Sequence, residues 1–254
     1  MVCRFCEQRD NFVNAHVIPQ GFFRRLGPTS QAPRLLTNAD DEYPKKAPSG
    51  VYDPAILCAE CEPLFSEWDD YAQKLLRDEP RGCTRRMVGR RIVGYEVANW
   101  RYDLLKLFFI AVVWRASVST QSFYKRIELG PYEARAKALL HARDPGQPEE
   151  FAVTLAKFEE PWSNLLLDPH PLKSEGVNFQ QFVLGGYVAY VKTDAQRAPK
   201  PYSDFLFRPG APLRIIGRRF EESREIAIVR DILTRRKNQR GMRPNSRKPD
   251  SDAG

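Results

Sequence analysis

The sequence predicts an α+β protein made of three consecutive parts: an N-terminal module over residues 1–80, a mixed helix and small-sheet domain over 81–233, and a basic disordered tail over 234–254. Three observations lead to this division. Two C-x-x-C pairs stand near the N-terminus, apolar residues at helical and alternating spacings fill the middle, and the last residues are rich in arginine. With 254 residues, 42% of them hydrophobic, the chain can bury a substantial core.

The N-terminal module is predicted from four cysteines, Cys3, Cys6, Cys58 and Cys61. Each C-x-x-C pair can present two thiolates to one metal ion from a tight turn, and two pairs complete the tetrahedral four-sulfur set that structural Zn²⁺ prefers. Disulfide bonding is the alternative. The first residues are charged and lack an apolar signal segment, so we expect a cytoplasmic chain whose paired cysteines bind metal. The fifth cysteine, Cys83, is predicted to be a small buried apolar residue.

The segment between the two pairs contains apolar residues from Phe12 to Phe23 that favour a short strand or hairpin and then a helical turn, with His16 at the centre. Residues Gly27 to Gly50 are polar and rich in proline, which predicts a long exposed loop. An amphipathic helix is predicted after the second pair from Leu64, Phe65, Trp68, Tyr71, Ala72 and Leu75. A hairpin, a long loop, a second cysteine pair and a helix follow the order of a treble-clef zinc module.

Three stretches carry a family resemblance: Cys3-x-x-Cys6, Ala15-His16-Val17-Ile18-Pro19, and Ile56-Leu57-Cys58-x-x-Cys61-Glu62. Together they resemble a zinc-stabilised HNH endonuclease of the ββα-metal class, over about residues 1–76. The resemblance implies that His16 is the general base. It also implies that Asp53 and Glu62 stand at the family's other two site positions, and that a catalytic Mg²⁺ or Mn²⁺ accompanies the structural zinc. The implied activity is hydrolysis of nucleic-acid phosphodiester bonds, with DNA as the expected substrate, as in restriction and phage-defence effectors.

The chemistry of such a site needs few groups. A neutral imidazole can take a proton from water, and carboxylates such as Asp53 and Glu62 can hold a hard divalent cation. This chain has Ala15 where the family commonly has an acidic metal ligand beside the base. The alternative is therefore a non-catalytic zinc-stabilised nucleic-acid-binding or regulatory protein, in which His16 is a hydrogen-bonded strand residue and the two acids are solvated.

The middle domain is predicted to begin with a buried helix. The apolar run Leu107 to Trp114 is too short to span a bilayer, so no membrane association is expected. Trp100, Leu104, Leu107, Phe108, Ala111 and Trp114 are predicted to form one buried face of this helix. A further helix is predicted over Tyr132 to Ala142. Strands are predicted over Phe151 to Phe158, over Phe182 to Val191 with a bulge or a close approach at Gly185-Gly186, and over Leu213 to Phe220. His141 is assigned to a helix end and His170 to a surface loop.

Net charge is +8, and two arginine-rich segments account for much of it. One is Arg85, Arg86, Arg90 and Arg91; the other lies in the tail and includes Arg235, Arg236 and Lys237. Basic segments of this kind suit a phosphate backbone, so nucleic acid is the predicted partner, although the first group also fits an ordinary solvated face. A protein partner or a homo-oligomer stays open.

Overall fold

The computed structural model describes residues 1–23, 34–36, 45–46, 50–76, 79–159 and 165–241. The strands are β1 (Ala15–His16), β2 (Arg34–Leu36), β3 (Lys45–Lys46), β4 (Tyr52–Asp53), β5 (Cys83–Val88), β6 (Arg91–Val97), β7 (Val153–Phe158), β8 (Leu165–Leu167), β9 (His170–Ser174), β10 (Val177–Leu184), β11 (Tyr187–Lys192) and β12 (Leu213–Arg218). The α-helices are α1 (Ser66–Leu75), α2 (Tyr102–Ser117), α3 (Tyr132–Ala142) and α4 (Arg224–Gly241). The predicted α+β class is confirmed.

The largest element is a seven-stranded sheet with the order β5-β6-β12-β7-β11-β10-β9. Neighbouring strands are antiparallel except for β12 and β7, which are parallel. Gly185 and Gly186 form the two-residue turn between β10 and β11, with φ of 56° and 89°. Of the two predicted alternatives, the bulge is replaced by a hairpin turn, since positive φ at both positions is what a type I′ turn requires. The close approach is present, because a Cβ atom on Gly185 would lie 3.1 Å from the carbonyl oxygen of Phe22.

Helix α2 is buried on every side from Leu104 to Ala116, and not along one face as predicted. The reason lies in its packing partners. Phe108 stacks on Phe22 of the N-terminal module with ring centroids 5.7 Å apart, whereas Phe109 contacts Phe207, whose amide bonds to strand β7. A helix covered on two sides by different parts of a protein needs apolar residues all round.

Helices α1 and α3 follow the sequence predictions closely. They occupy the predicted segments, and Arg143 ends α3 in the left-handed conformation with φ of 52°. His170 was predicted in a loop but lies on edge strand β9, paired with Gln181. Within the described residues, no helix combines the length and the hydropathy that a membrane span requires.

Two predicted irregular segments coincide with regular structure. Strands β2 and β3 fall inside the predicted long loop, and the rest of residues 24–49 lies outside the described residues. Helix α4 continues through residues 234–241, where disorder was predicted. The side chains of Arg235, Arg236 and Lys237, and all of residues 242–254, also lie outside the described part of the chain.

The apolar core is continuous from Cys3 to Ile232. It includes the cysteines, the N-terminal aromatic residues, α2 and the sheet. The N-terminal module is thus positioned by α2 and α3, and this packing sets the surroundings of the candidate site.

Candidate functional site

Four cysteine sulfurs converge in the N-terminal region. The Sγ atoms of Cys3, Cys6, Cys58 and Cys61, called the cysteine cluster below, all lie within 4.8 Å of one another, and those of Cys6 and Cys58 are 3.9 Å apart. Thiolates bound to Zn²⁺ at about 2.3 Å in a tetrahedron would be about 3.8 Å apart. The donor set and its spacing therefore fit a structural metal ion such as zinc.

Each cysteine pair is closed by its own backbone turn. Glu7 donates its amide hydrogen to the carbonyl of Cys3 at 2.9 Å, with φ of 59° at Glu7, and Cys61 and Glu62 both donate to the carbonyl of Cys58 at 3.1 Å. The amide of Cys58 also donates to Cys3 Sγ at 3.4 Å. This last bond joins the two turns.

The thiols of the cluster differ in their acidity. Burial acts to raise the pKa of Cys6, but hydrogen bonds from the backbone of Gln8 and Arg9 and from neighbouring thiols lower it to about 6. Burial raises the pKa of Cys58 and of Cys61. Buried thiolates need a compensating positive charge, and a coordinated divalent cation supplies one.

The first cysteine turn is held by two helices of the middle domain. Phe5 stacks on the ring of His141 at 3.9 Å, and His141 Nε2 lies 3.0 Å from the carbonyl oxygen of Phe5. Phe5 also meets Trp114 of α2 edge-on at 5.4 Å. The prediction that His141 lies at a helix end is confirmed, but its contact with Phe5 has no signal in the sequence because the two residues are far apart in the chain.

His16 lies on the two-stranded sheet formed by β1 and β4. His16 pairs with Tyr52, and their rings meet edge-on at 6.2 Å, while the next pair is Ala15 with Asp53. Successive residues of a strand point to opposite faces. His16, which is half-exposed, and Asp53, which is fully buried, thus lie on opposite faces of this small sheet.

The Asp53 carboxylate binds the loop that follows α2. Its oxygens accept hydrogen bonds from Ser119 Oγ at 2.8 Å, from the amide and hydroxyl of Thr120, and from the amide of Ala55 at 2.9 Å. These bonds account for a fully buried carboxylate without a metal ion. The family resemblance places Asp53 in one site with His16, but the strand register directs the two side chains to opposite faces of the β1–β4 sheet.

Glu62 begins the 3-10 helix Glu62–Phe65 that leads into α1, directly after Cys61. Its side chain is half-exposed, so its carboxylate oxygens are open to solvent in part. Its amide is used in the second cysteine turn, which fixes its backbone relative to the cysteine cluster. A metal-ligand role for Glu62 stays a prediction.

Asp69 and Arg115 form a buried ion pair near His16 that the sequence patterns did not reveal. The guanidinium of Arg115 donates to both oxygens of Asp69 at 2.8 Å, and its side chain is only 2% exposed. Burial raises the pKa of Asp69, while the charge of Arg115 acts to lower it. The one signal available was an arginine at the end of a long apolar helix.

Helix α1 also packs closely against the turn that follows His16. A Cβ atom on Gly21 would lie 1.7 Å from Gln73 Oε1, so only glycine fits there without moving Gln73. Gln73 and Asp69 are four residues apart and share one face of the helix, and Gln73 Nε2 donates to the carbonyl of Asp69. The result is a polar face of α1 directed at the His16 segment.

The predicted nucleic-acid contacts fall in two places. Arg85, Arg86, Arg90 and Arg91 are exposed residues of the β5–β6 hairpin. Arg235, Arg236 and Lys237 belong to α4 by their backbone, and their contacts lie outside what the structure describes. Cys83, at the start of the hairpin, is half-buried, and its Sγ lies 3.6 Å from Glu79 Oε1.

Comparison of the chain with models of known protein families, with curated proteins and with solved structures gave no match. Any functional assignment therefore depends on the residues themselves. The observations that bear most directly on it are the cysteine cluster, the half-exposed His16 and the polar face of α1.

Proposed function

We propose that the protein is a metal-dependent endonuclease of the HNH type that hydrolyses nucleic-acid phosphodiester bonds, with a treble-clef zinc module as its catalytic part. The cysteine cluster is the observation that carries the proposal. It brings together two C-x-x-C pairs that enclose a short strand bearing a histidine, and it is followed at once by a helix. This is the order of parts that the sequence resemblance requires.

In the proposed reaction His16 takes a proton from the attacking water. Imidazole is the side chain most often used as a general base, and the ring of His16 is partly exposed on strand β1. Tyr52 contacts the ring from the paired strand and limits its orientation. A histidine held in one orientation is a more effective base than a mobile one.

A catalytic Mg²⁺ or Mn²⁺, when bound, would stabilise negative charge on the scissile phosphate. Glu62 is the proposed oxygen ligand, since its carboxylate is partly open to solvent and its backbone is fixed beside the cluster. Asp53 is left out of this role because its oxygens are engaged by Ser119 and Thr120. Asp69 is likewise engaged, by Arg115.

A nicking assay tests the proposal. Purified full-length protein is incubated with supercoiled plasmid and with single-stranded DNA, with Mg²⁺, with Mn²⁺ and with a chelator of both. We expect divalent-dependent cleavage by the wild type and a loss of at least about 10²-fold in rate for His16→Ala, the effect of removing a general base. Zinc content and the unfolding midpoint should not change, because His16 is half-exposed.

His170→Ala is the matched control. His170 has the same intermediate exposure as His16 and also lies on an edge strand. That strand is β9 of the seven-stranded sheet. Full activity is expected for this variant. Cleavage that survives in His16→Ala, or a wild type that cuts neither substrate with either cation, would contradict the proposal.

The second candidate is a zinc-stabilised nucleic-acid-binding or regulatory protein without catalysis. Ala15 favours it, since this position is fully buried and offers no oxygen beside the base. The engagement of Asp53 and Asp69 by other residues points the same way. Nucleic-acid binding without cleavage in the assay above would select this alternative.

A further inference from the structure

The hairpin of β5 and β6, called the arginine hairpin below, extends beyond the sheet to which it belongs. Strand β6 pairs with β12 over Gly94–Val97, whereas its pairing with β5 continues to the turn, where Val88 faces Arg91. Gly89 occupies the first position of this two-residue turn with φ of 59°. The end of the hairpin is therefore a two-stranded ribbon whose β5 side and turn are open, while Arg91 and Ile92 on its β6 side still lie against Glu159, Glu222 and Gly217.

The ribbon combines positive charge with exposed apolar side chains. Arg85, Arg86, Arg90 and Arg91 are all exposed, and beside them Met87 and Val88 are 49% and 67% exposed. Basic residues alone on an edge strand can serve to keep other strands away. Exposed apolar side chains such as Met87 and Val88 favour association instead of preventing it. Their position next to the turn is consistent with a surface that contacts a partner.

Three of the arginines are held by surface ion pairs. Arg85 binds Glu79 at 2.6 Å, Arg86 binds Glu96 at 2.8 Å, and Arg91 lies 3.4 Å from both Glu159 and Glu222. All three guanidinium groups are about half exposed, and pairs of this kind contribute little to stability in water. Phosphate groups can therefore replace these carboxylates at small cost, and a bidentate phosphate contact is among the stronger ones an arginine makes.

We infer that the arginine hairpin enters the major groove of duplex DNA. Two strands lie about 4.8 Å apart, and a ribbon with its side chains fits a groove about 12 Å wide but not a minor groove of about 6 Å. In that groove arginines bind guanine O6 and N7 or flanking phosphates, and apolar side chains contact the thymine methyl group. The major groove of A-form RNA is deep and narrow and excludes such a ribbon.

This inference rests on the proposed function and names its substrate class as double-stranded DNA. Met87 and Val88 would then contribute to recognition by contacting thymine methyl groups. The arginines at the base of the ribbon, Arg85 and Arg86, would follow the backbone, and Arg90, Met87 and Val88 at the turn would reach the base edges.

Binding is tested with the full chain and labelled mixed-sequence duplexes, by fluorescence anisotropy over a range of salt concentrations without a catalytic divalent cation. Arg90→Gln should weaken binding. If Arg90 contacts a phosphate, the slope of log K against log salt should fall by about 0.9. If Arg90 contacts a base, the affinity for guanine-containing sites should fall. Arg197→Gln is the control, because Arg197 is also exposed but lies on the loop after β11. It should bind as the wild type does.

The major-groove contact has its own test. Met87→Ser with Val88→Ser should lose about fourfold in affinity for each thymine methyl group contacted. Replacing thymine by uracil in the duplex should weaken the wild type by a similar factor and leave the double variant unchanged. Methyl green, which occupies the major groove, should displace the protein, and netropsin, which occupies the minor groove, should not.

Equal binding by the hairpin variants and the wild type would overturn the inference, as would equal affinity for duplex RNA or displacement by netropsin alone. These outcomes are separable from failure of the nuclease proposal, because none of them depends on cleavage. Hairpin-dependent DNA binding without divalent-dependent cutting would uphold the inference and overturn the nuclease. A wild type that binds no duplex DNA would overturn the inference alone, because the nuclease proposal is also tested on single-stranded DNA.

Discussion

The region around the cysteine cluster and the seven-stranded sheet are stabilised in different ways. In the first region the described strands β1 and β4 are two residues long, whereas β10 in the sheet has eight residues and pairs on both sides. Backbone pairing is therefore sparse around the cluster and extensive in the sheet. Apolar burial is common to both regions, and we expect a metal ion at the cysteine cluster to add to the stability of the N-terminal region, where regular strand pairing is limited.

The largest expected effect comes from removing one sulfur of the cluster. Cys58→Ser should lose the bound metal and unfold the N-terminal region, since zinc binding contributes on the order of 10–16 kcal/mol to folding in small zinc modules. Elemental analysis and circular dichroism check this. Cys83→Ser is the control because Cys83 is outside the cluster, and it should keep one zinc per chain. Equal zinc content in both variants would show that the cluster does not hold the metal.

A smaller effect is expected where the two regions meet. Arg115→Met leaves Asp69 buried without its partner, and breaking a buried ion pair in this way costs about 3–5 kcal/mol. Replacing both residues, as in Asp69→Leu with Arg115→Met, should recover most of that loss, because two apolar residues need no mutual charge. Urea unfolding of the two variants measures the difference. If the double variant is no more stable than Arg115→Met, the pair is not what joins α1 to α2.

The smallest effect concerns Lys106 on the sheet side of α2. Burial lowers the pKa of Lys106 to about 7. Its ammonium group lies 3.4 and 3.5 Å from the carbonyls of Gln147 and Pro148 and 5.7 Å from the ring centroid of Tyr102. Between about pH 7 and the ordinary lysine pKa near 10.4, the unfolded chain binds this proton and the folded chain does not. The free energy of unfolding should therefore rise with pH over that range, by at most about 1.4 kcal/mol per pH unit.

Lys106→Met should remove this pH dependence, and Lys125→Met, a change at an exposed lysine, should leave it in place. Urea unfolding from about pH 6 to about pH 9 provides the measurement. Parallel curves for the wild type and Lys106→Met would show that Lys106 stays protonated in the folded protein.

Local patterns predicted the local features of the molecule. The C-x-x-C spacing predicted the cluster, apolar periodicity predicted α1, and helix-favouring composition predicted α3. A turn or a helix depends on neighbours three or four residues away, which is why local patterns reveal it. The face that Asp53 occupies depends instead on the register between β1 and β4, and a shift of one residue reverses it. No pattern within either strand contains that information.

The features that were missed are set by distant contacts or by exposure. The Asp69–Arg115 pair joins residues 46 positions apart. Strand β5 is exposed along nearly its whole length, so it lacks the alternation that predicts a strand, and its arginines suggested only a charged surface. Helix α2 is buried on all sides because the N-terminal module and the sheet enclose it, and these contacts come from distant parts of the chain.

Metal removal from the intact protein tests the central claim, that a metal ion at the cysteine cluster adds to the stability of the N-terminal region. Hydrogen exchange is followed by mass spectrometry before and after chelation of zinc. We expect amides of residues 1–76 to lose protection while strands β7, β10 and β11 keep theirs, with α2 losing protection in part because it packs on both regions. Unchanged protection in residues 1–76 after complete loss of zinc would contradict the account.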